Sequence, residues 1–323
     1  MADPTSPTPR GSGVAFVTGA GGFIGGAAAS SLQRAGWTVA ALGHAPRVPE
    51  PHLDLAGPAL RIVGEVDRSM LARAADSLGA PELVVHAAGG ASVAASVADP
   101  DLDRARTVGS LVQALAFLRD RAPDARLIYP SSAAVHGAAA PSPIPESAPL
   151  DPISPYGRHK QMAESLIADA AKGFGLDAVV IRFFSVYGPG LRKQLLWDLA
   201  ARLVDAPDQL ELAGTGDETR DFLFIDDAVR LIGLAAGLER AAAPRIVNGG
   251  AGRALTVRQV AETLVRAMAA STTITFTGAV REGDPRSLVA DPATLRALGF
   301  SPRVPFEAGV ERLLDWIRAG AAA

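Results

Sequence analysis

The 323-residue sequence contains no cysteine. That absence excludes disulfides, thiolate metal sites and a cysteine nucleophile, and it accords with a reducing compartment, so the cytoplasm is the expected location. The five histidines show no metal-ligand spacing, and no metal is expected. An excess of one charge is also missing: 31 Lys+Arg against 34 Asp+Glu leave a net charge of −3 and a pI near 6.0. There is thus no global basic field to hold nucleic acid or an anionic membrane. No apolar run reaches the roughly 18 residues needed to span a bilayer. Residues 1–13 are rich in Pro, Ser and Thr and lack an apolar centre; they read as a disordered lead-in, not a signal peptide.

What is present is a 48% hydrophobic composition arranged in a recognisable rhythm. Short β-branched runs alternate with helical stretches in the first half, the pattern of βαβ units on a parallel sheet. Strands are expected at Val14–Thr18, Thr38–Leu42, Leu60–Val63, Leu83–Ala87, Arg126–Pro130 and Ala178–Phe183. Helices are expected at Gly25–Ala35, Asp101–Asp120 and Tyr156–Lys172. The fold class is therefore α/β, a Rossmann-type doubly wound parallel sheet over residues 14–188. Beyond Pro189 the alternation weakens, and shorter elements (helices near Leu195–Val204, Asp226–Leu238, Thr256–Ala269 and Glu307–Ile317, a strand near Leu210–Leu212) suggest a smaller mixed α/β substrate lobe over 189–323, with a strand possible that returns to the sheet.

The segment VAFVTGAGGFIGG places Gly19, Gly22 and Gly25 after a strand and at the opening of a helix. A dinucleotide site needs glycine there, because the backbone must turn tightly and approach a pyrophosphate, whose charge the helix N-terminus then receives. Phe23 and Ile24 belong to the same turn. An NAD site usually sets an acid at the end of the second strand to hold the ribose 2′-OH. Here the run from Leu42 to Arg47 has no carboxylate; His44 and Arg47 could instead face a 2′-phosphate, so NADP(H) is favoured, with NAD(H) possible, and both residues could equally be solvated. Glu65 and Val66, after the third strand, could meet the adenine.

YGRHK sets Tyr156 and Lys160 at i and i+4 on one helical face. An ammonium at that spacing favours the phenolate and so tunes the phenol as an acid/base. Ser132, in YPSS 24 residues upstream, ends a strand and could stand beside the Tyr156 hydroxyl.

Seven segments, TGAGGFIG, HAAGGASV, YPSSAAVHG, YGRHK, RFFSVYGPG, TRDFLFIDD and REGDPR, occur in this order. With them the chain resembles the extended short-chain dehydrogenases/reductases, in particular the NAD(P)-dependent nucleotide-sugar epimerases, dehydratases and reductases. The resemblance implies Ser132, Tyr156 and Lys160 as the catalytic set, with Tyr156 and Lys160 also at the cofactor, and Ala87 and Ala88 lining it. It implies a nucleotide-diphospho-sugar substrate met by Ser92, His136, Ser185, Arg220, Arg281 and Asp284. Arg220 has an alternative use as an ion-pair partner of Asp221 or Asp226, and His136 as a plain polar loop residue. The resemblance further implies a homodimer joined through the helices at Asp101–Asp120 and Tyr156–Lys172. Ala133 and Ala134 stand where the family's 4,6-dehydratases carry an Asp-Glu pair, which argues against dehydration. Ser185, His136 and Thr107 replace the family's usual Asn, Tyr and Asn.

Two reactions fit. The leading expectation is a 4-ketoreductase in which NADPH reduces a 4-keto sugar and Tyr156 protonates the alkoxide. The alternative is a 4-epimerase, like UDP-galactose 4-epimerase, that holds NAD tightly. A third possibility, of another class, is a non-catalytic dinucleotide sensor.

Overall fold

Val14–Thr18 (β1) is almost wholly buried, as expected of a strand covered by helices on both faces. It is followed by helix Phe23–Arg34 (α1), strands Thr38–Gly43 (β2) and Leu60–Val63 (β3), helix Arg68–Leu78 (α2) and strand Leu83–His86 (β4). Strands Arg126–Ser132 (β5) and Asp177–Phe183 (β6) and the strand Arg245–Gly249 complete a seven-stranded sheet. The order is Arg245–Gly249, β6, β5, β4, β1, β2, β3. β1 pairs in parallel with both β2 and β4, so the direction of winding reverses at β1/β4, the point at which such sheets bind ligands. The computed structural model describes residues 13–45, 57–90, 92–138, 142–205, 208–268, 270–279 and 285–321. No helix among them is long and apolar enough to cross a membrane.

The chain forms two units. The first comprises residues 1–135, 152–182 and 228–247, the second 136–151, 183–227 and 248–323. The chain passes between the units five times, and the strand Arg245–Gly249, from beyond Pro189, lies at the edge of the seven-stranded sheet.

Within the first unit, Phe16, Leu71, Leu111, Phe117, Leu127 and Ile167 belong to one buried cluster, with the Phe16 and Phe117 rings stacked at 6.1 Å. Helix α2, which periodicity did not reveal, is started by Asp67, whose carboxylate accepts from Met70 N at 2.7 Å. The single helix expected over Asp101–Asp120 is three pieces: Pro100–Arg104 (α4), a π-turn at Ala105–Gly109 and Ser110–Arg121 (α5), preceded by a short helix Val93–Ala98 (α3). The Ser110 hydroxyl donates to Arg106 O inside that turn, a side-chain competitor for the backbone ladder. The helix that carries Tyr156, Pro155–Phe174 (α6), is capped by Ser154, carries Pro at its first position and stops at Gly175 in the left-handed region (φ 77°).

Among its described residues the second unit has three small sheets. Ser185–Tyr187 runs parallel to Phe222–Phe224, Gln209–Leu212 runs parallel to Thr273–Phe276, and Thr219–Arg220 lies between Leu255–Thr256 and Ser287–Leu288. Tyr187, Phe222, Phe224 and Phe306 form an aromatic cluster, and the Tyr187 hydroxyl donates to Phe306 O at 3.0 Å. The buried Asp221 carboxylate accepts from the N–H groups of Ala251, Gly252 and Ala290. Asp221 is thus a backbone anchor and not the ion-pair partner contemplated for Arg220; Asp226 likewise pairs with Arg312.

Candidate active site

The glycine turn is shaped by close approach. Gly19 has φ +66°, and a Cβ there would come within 2.6 Å of the Ala87 carbonyl and Ala88 nitrogen. A Cβ on Gly25 would meet Gly19 O at 2.2 Å. The turn is therefore a surface of bare backbone, running from Gly19 into an α1 N-terminus whose N-cap, Gly22, supplies no side-chain cap bond. An uncapped helix start after a glycine-rich turn suits a pyrophosphate, and the residues present fit a dinucleotide. Phe23 and Ile24, half-buried, open the helix. Ala87 and Ala88 are fixed from below by a buried lattice that sequence reasoning missed. The Thr18 hydroxyl accepts from Ala88 N at 3.3 Å and is bonded to His86 Nδ1 at 2.9 Å, while His86 Nε2 meets Ser110 Oγ at 3.1 Å. Burial, with the Lys160 charge, pushes His86 down to about 3, so the ring is a neutral strut.

At the end of β2, His44 does not stand alone as a phosphate ligand. Its Nε2 is 3.0 Å from Glu65 Oε1, with both side chains exposed. A carboxylate at that place is unfavourable for a 2′-phosphate, which weakens the reasoning that pointed to NADP(H). Val66 is a buried core residue close to Gly43. Arg47 lies outside the described residues.

Ser132, Tyr156 and Lys160 are brought together. β5 ends at Ser132 and turns through a 3-10 turn, Ala133–Val135, in which Ala134 N donates to Ser132 Oγ at 3.2 Å. The α6 start presses on that turn: a Cβ on Gly157 would lie 2.5 Å from Ala134 O, which accounts for the glycine after Tyr156. Ser96, buried and unflagged by any motif, accepts from Tyr156 N at 3.0 Å and fixes the tyrosine backbone. Ser132 hydrogen-bonds the Tyr156 phenol. The neighbouring Ser131 has a different job, donating to Glu164, which is itself held by Arg182 at 2.7 Å.

Lys160 Nζ donates to Pro130 O at 2.9 Å, sits 4.7 Å from the Tyr129 ring centroid and 5.8 Å from that of Tyr156. Its effect on the phenol differs from the expectation. Burial pushes Tyr156 up to about 12, and the group lowering it is Ser132 through its hydrogen bond. Burial likewise pushes Lys160 down to about 8, against the pull of Asp103 and Glu164. Desolvation is the largest influence in both cases and the i, i+4 partner is not among the causes, so in the free protein Tyr156 keeps its proton at neutral pH.

The remaining residues named for substrate fall into three groups. Ser92 caps α3, accepting from Ala95 N at 3.2 Å. His136 is buried, its Nδ1 3.3 Å from Pro149 O. Ser185 and Arg220 line a cavity of about 730 Å³ within the second unit, together with Lys193, Arg202 and Arg286. The lining carries four cationic side chains, which suit a diphosphate, beside the carboxylates of Asp198, Asp217 and Glu218. Arg220 Nη1 donates to the carbonyls of Thr219 and Pro285, which fix part of its fork. Arg286 closes the REGDPR segment but was not singled out within it, and Lys193 and Arg202 carry no motif signal; the fold gathers them. Arg281 and Asp284 lie outside the described residues. No group of His, Asp and Glu able to hold a metal occurs among the described residues.

A profile described as the NAD dependent epimerase/dehydratase family matches residues 15–250. The chain belongs to that family. Among curated relatives, UDP-glucose 4-epimerase of Azospirillum brasilense is 31% identical over 339 aligned positions, covering 99% of this chain and 95% of that protein. Among solved structures, UDP-glucose 4-epimerase of Thermotoga maritima with UDP-glucose is 26% identical, with a TM-score of 0.83, covering 95% of this chain and 99% of that one. UDP-glucose 4-epimerase of Thermus thermophilus in complex with NAD is 27% identical with a TM-score of 0.82, covering 95% and 99%. The chain is thus an enzyme of the extended short-chain dehydrogenase/reductase type, with the Rossmann-like sheet of its family. The preference for NADP(H) gives way: the family is described by its dependence on NAD, and one likeness carries NAD.

Proposed function

We propose that this enzyme is a UDP-sugar 4-epimerase that retains NAD and interconverts UDP-glucose and UDP-galactose. The observation carrying this reading is the assembled Ser132/Tyr156/Lys160 set in a chain that covers nearly the whole length of a 4-epimerase relative. Gly19, Gly22, Phe23, Ile24 and Gly25 would hold the pyrophosphate through backbone N–H groups, with Ala87 and Ala88 lining the cofactor. Bound NAD+ supplies a hydride acceptor and one positive charge, which favours the phenolate. Tyr156 takes the proton of the sugar C4 hydroxyl and returns it once the opposite face is presented. Ser132 donates to the same oxygen as it gains charge, and Lys160 holds ribose hydroxyls. Lys193, Arg202, Arg220 and Arg286 would bind the diphosphate in their cavity. Ala133 and Ala134 still offer no acid for dehydration. The ketoreductase expectation rested on NADP(H) and loses its support with it.

Denaturing the purified protein should release NAD, and the native protein should convert UDP-galactose to UDP-glucose without added cofactor and without net NADH formation. A requirement for stoichiometric NADPH with a 4-keto sugar would overturn the reading.

The enzyme is further proposed to be a homodimer. Leu102, Val112 and Met162, on α4, α5 and α6, are exposed apolar side chains in the segments named for pairing, and Val93 and Val97 are exposed on the preceding α3. Sedimentation should give twice the 33.2 kDa chain mass; a monomer at micromolar concentration would refute it.

A further inference from the structure

One residue from Lys160 along α6 lies a hydrogen-bonded His–Asp pair that no motif announced. His159 Nδ1 donates to Asp103 Oδ2 at 2.6 Å, with side-chain exposures of 10% and 3%. Asp103 sits on α4, and its other oxygen, Oδ1, is buried with no hydrogen-bond partner among the described residues. That oxygen faces the loop after β4 so closely that a Cβ on Gly90 would lie 1.7 Å from it. The same loop reaches the lysine: a Cβ on Gly89 would be 3.4 Å from Thr107 Oγ1 and 3.7 Å from Lys160 Nζ. Thr107, in the π-turn, accepts from Gly90 N at 2.8 Å and holds the loop in place. Asp103, Thr107, Gly89, Gly90, His159 and Lys160 are therefore one cluster.

A buried carboxylate with an idle oxygen is expensive unless a cation nearby compensates it. A neutral imidazole offers one N–H, so His159 in that form grips the carboxylate without cancelling its charge. The groups facing Lys160 are Tyr129 on β5, His86 on β4, Tyr156 and Glu164 on α6, and Asp103. His86 is neutral, and without bound NAD both tyrosines keep their protons at neutral pH. Glu164 is already matched by Arg182 and Ser131.

We propose that Asp103, oriented by His159, is a positioning residue for the reaction, the buried counter-charge that holds the Lys160 ammonium in the active site. The role in catalysis rests on the epimerase reading; the charge pairing does not.

Its test is direct, since the sequence has only three lysines, at 160, 172 and 193. In the full-length protein labelled with ¹³C at lysine Cε, the Lys160 signal should titrate near 8, with the exposed Lys172 as internal reference. Asp103→Asn, nearly isosteric and still able to accept from His159, should lower the Lys160 midpoint by about one pH unit. The alkaline limb of the UDP-galactose conversion rate should fall by the same amount, while activity near pH 6.5 is largely kept. His159→Gln keeps the carboxylate and should leave the midpoint within about 0.3 units. An unmoved midpoint in Asp103→Asn, or equal movement in both variants, overturns the proposal. A shifted midpoint in a protein that interconverts no sugar upholds the charge pairing and defeats the epimerase reading instead.

Discussion

Tyr156→Phe is expected to lower kcat by about three orders of magnitude, within the range found when a general acid/base is removed. The ring, its position on α6 and the Ser96 hold on its backbone all survive the change, since Ser96 bonds the main chain and not the phenol. What disappears is the proton that Ser132 shares and burial retains up to about pH 12. KM for the nucleotide sugar should change little, because the cations lining the cavity of the second unit are untouched. NAD released on denaturation should match the parent protein. Loss of kcat together with loss of NAD would mean that Tyr156 serves binding, and retention of kcat would remove the proton-transfer role altogether. A measurement of kcat, KM and NAD content on one preparation separates these outcomes.

The second large effect belongs to the glycine turn. Gly25→Val is expected to abolish retention of NAD and with it all conversion without added cofactor. The first side-chain carbon would already lie 2.2 Å from Gly19 O, and two further methyl groups leave the turn no way to stay closed against α1. Gly19 cannot yield easily, because the Ala87–Ala88 backbone lies against it and its φ of +66° is costly for other residues. The variant should still fold, as the buried cluster around Phe16 and Phe117 does not depend on the turn. NAD content after gel filtration, read beside a thermal melt, tests this. A variant with normal NAD content would show that the turn does not hold the pyrophosphate.

Those two positions were legible in the sequence because their signal is local. A strand, three glycines and a helix lie within one short stretch, and Tyr156 and Lys160 lie one helical turn apart. The same locality exposed β1 to β6 and α6. What escaped was decided by partners far along the chain. His44 read as a phosphate ligand because Glu65, 21 residues on, gives no sign in sequence of reaching it. Ser96 meets Tyr156 across 60 residues, and Asp103 meets His159 across 56. The raised phenol of Tyr156 was illegible for another reason: spacing tells which groups share a helical face but nothing of burial, and burial is the largest influence on both Tyr156 and Lys160. The helix at Asp101–Asp120 was placed well but read as unbroken, since a π-turn changes the backbone count without changing the apolar period.

The five passages of the chain between its two units bear on how such enzymes can be re-engineered or diversify. A new sugar preference cannot be grafted by one recombination event near residue 188, because that cut would strand the sheet's edge strand Arg245–Gly249 and the segment 136–151 on the wrong parent. Splices at 135/136, 151/152, 182/183, 227/228 and 247/248 would all have to be made together. Point substitution inside the cavity, and not shuffling of whole lobes, is therefore the accessible route to altered selectivity.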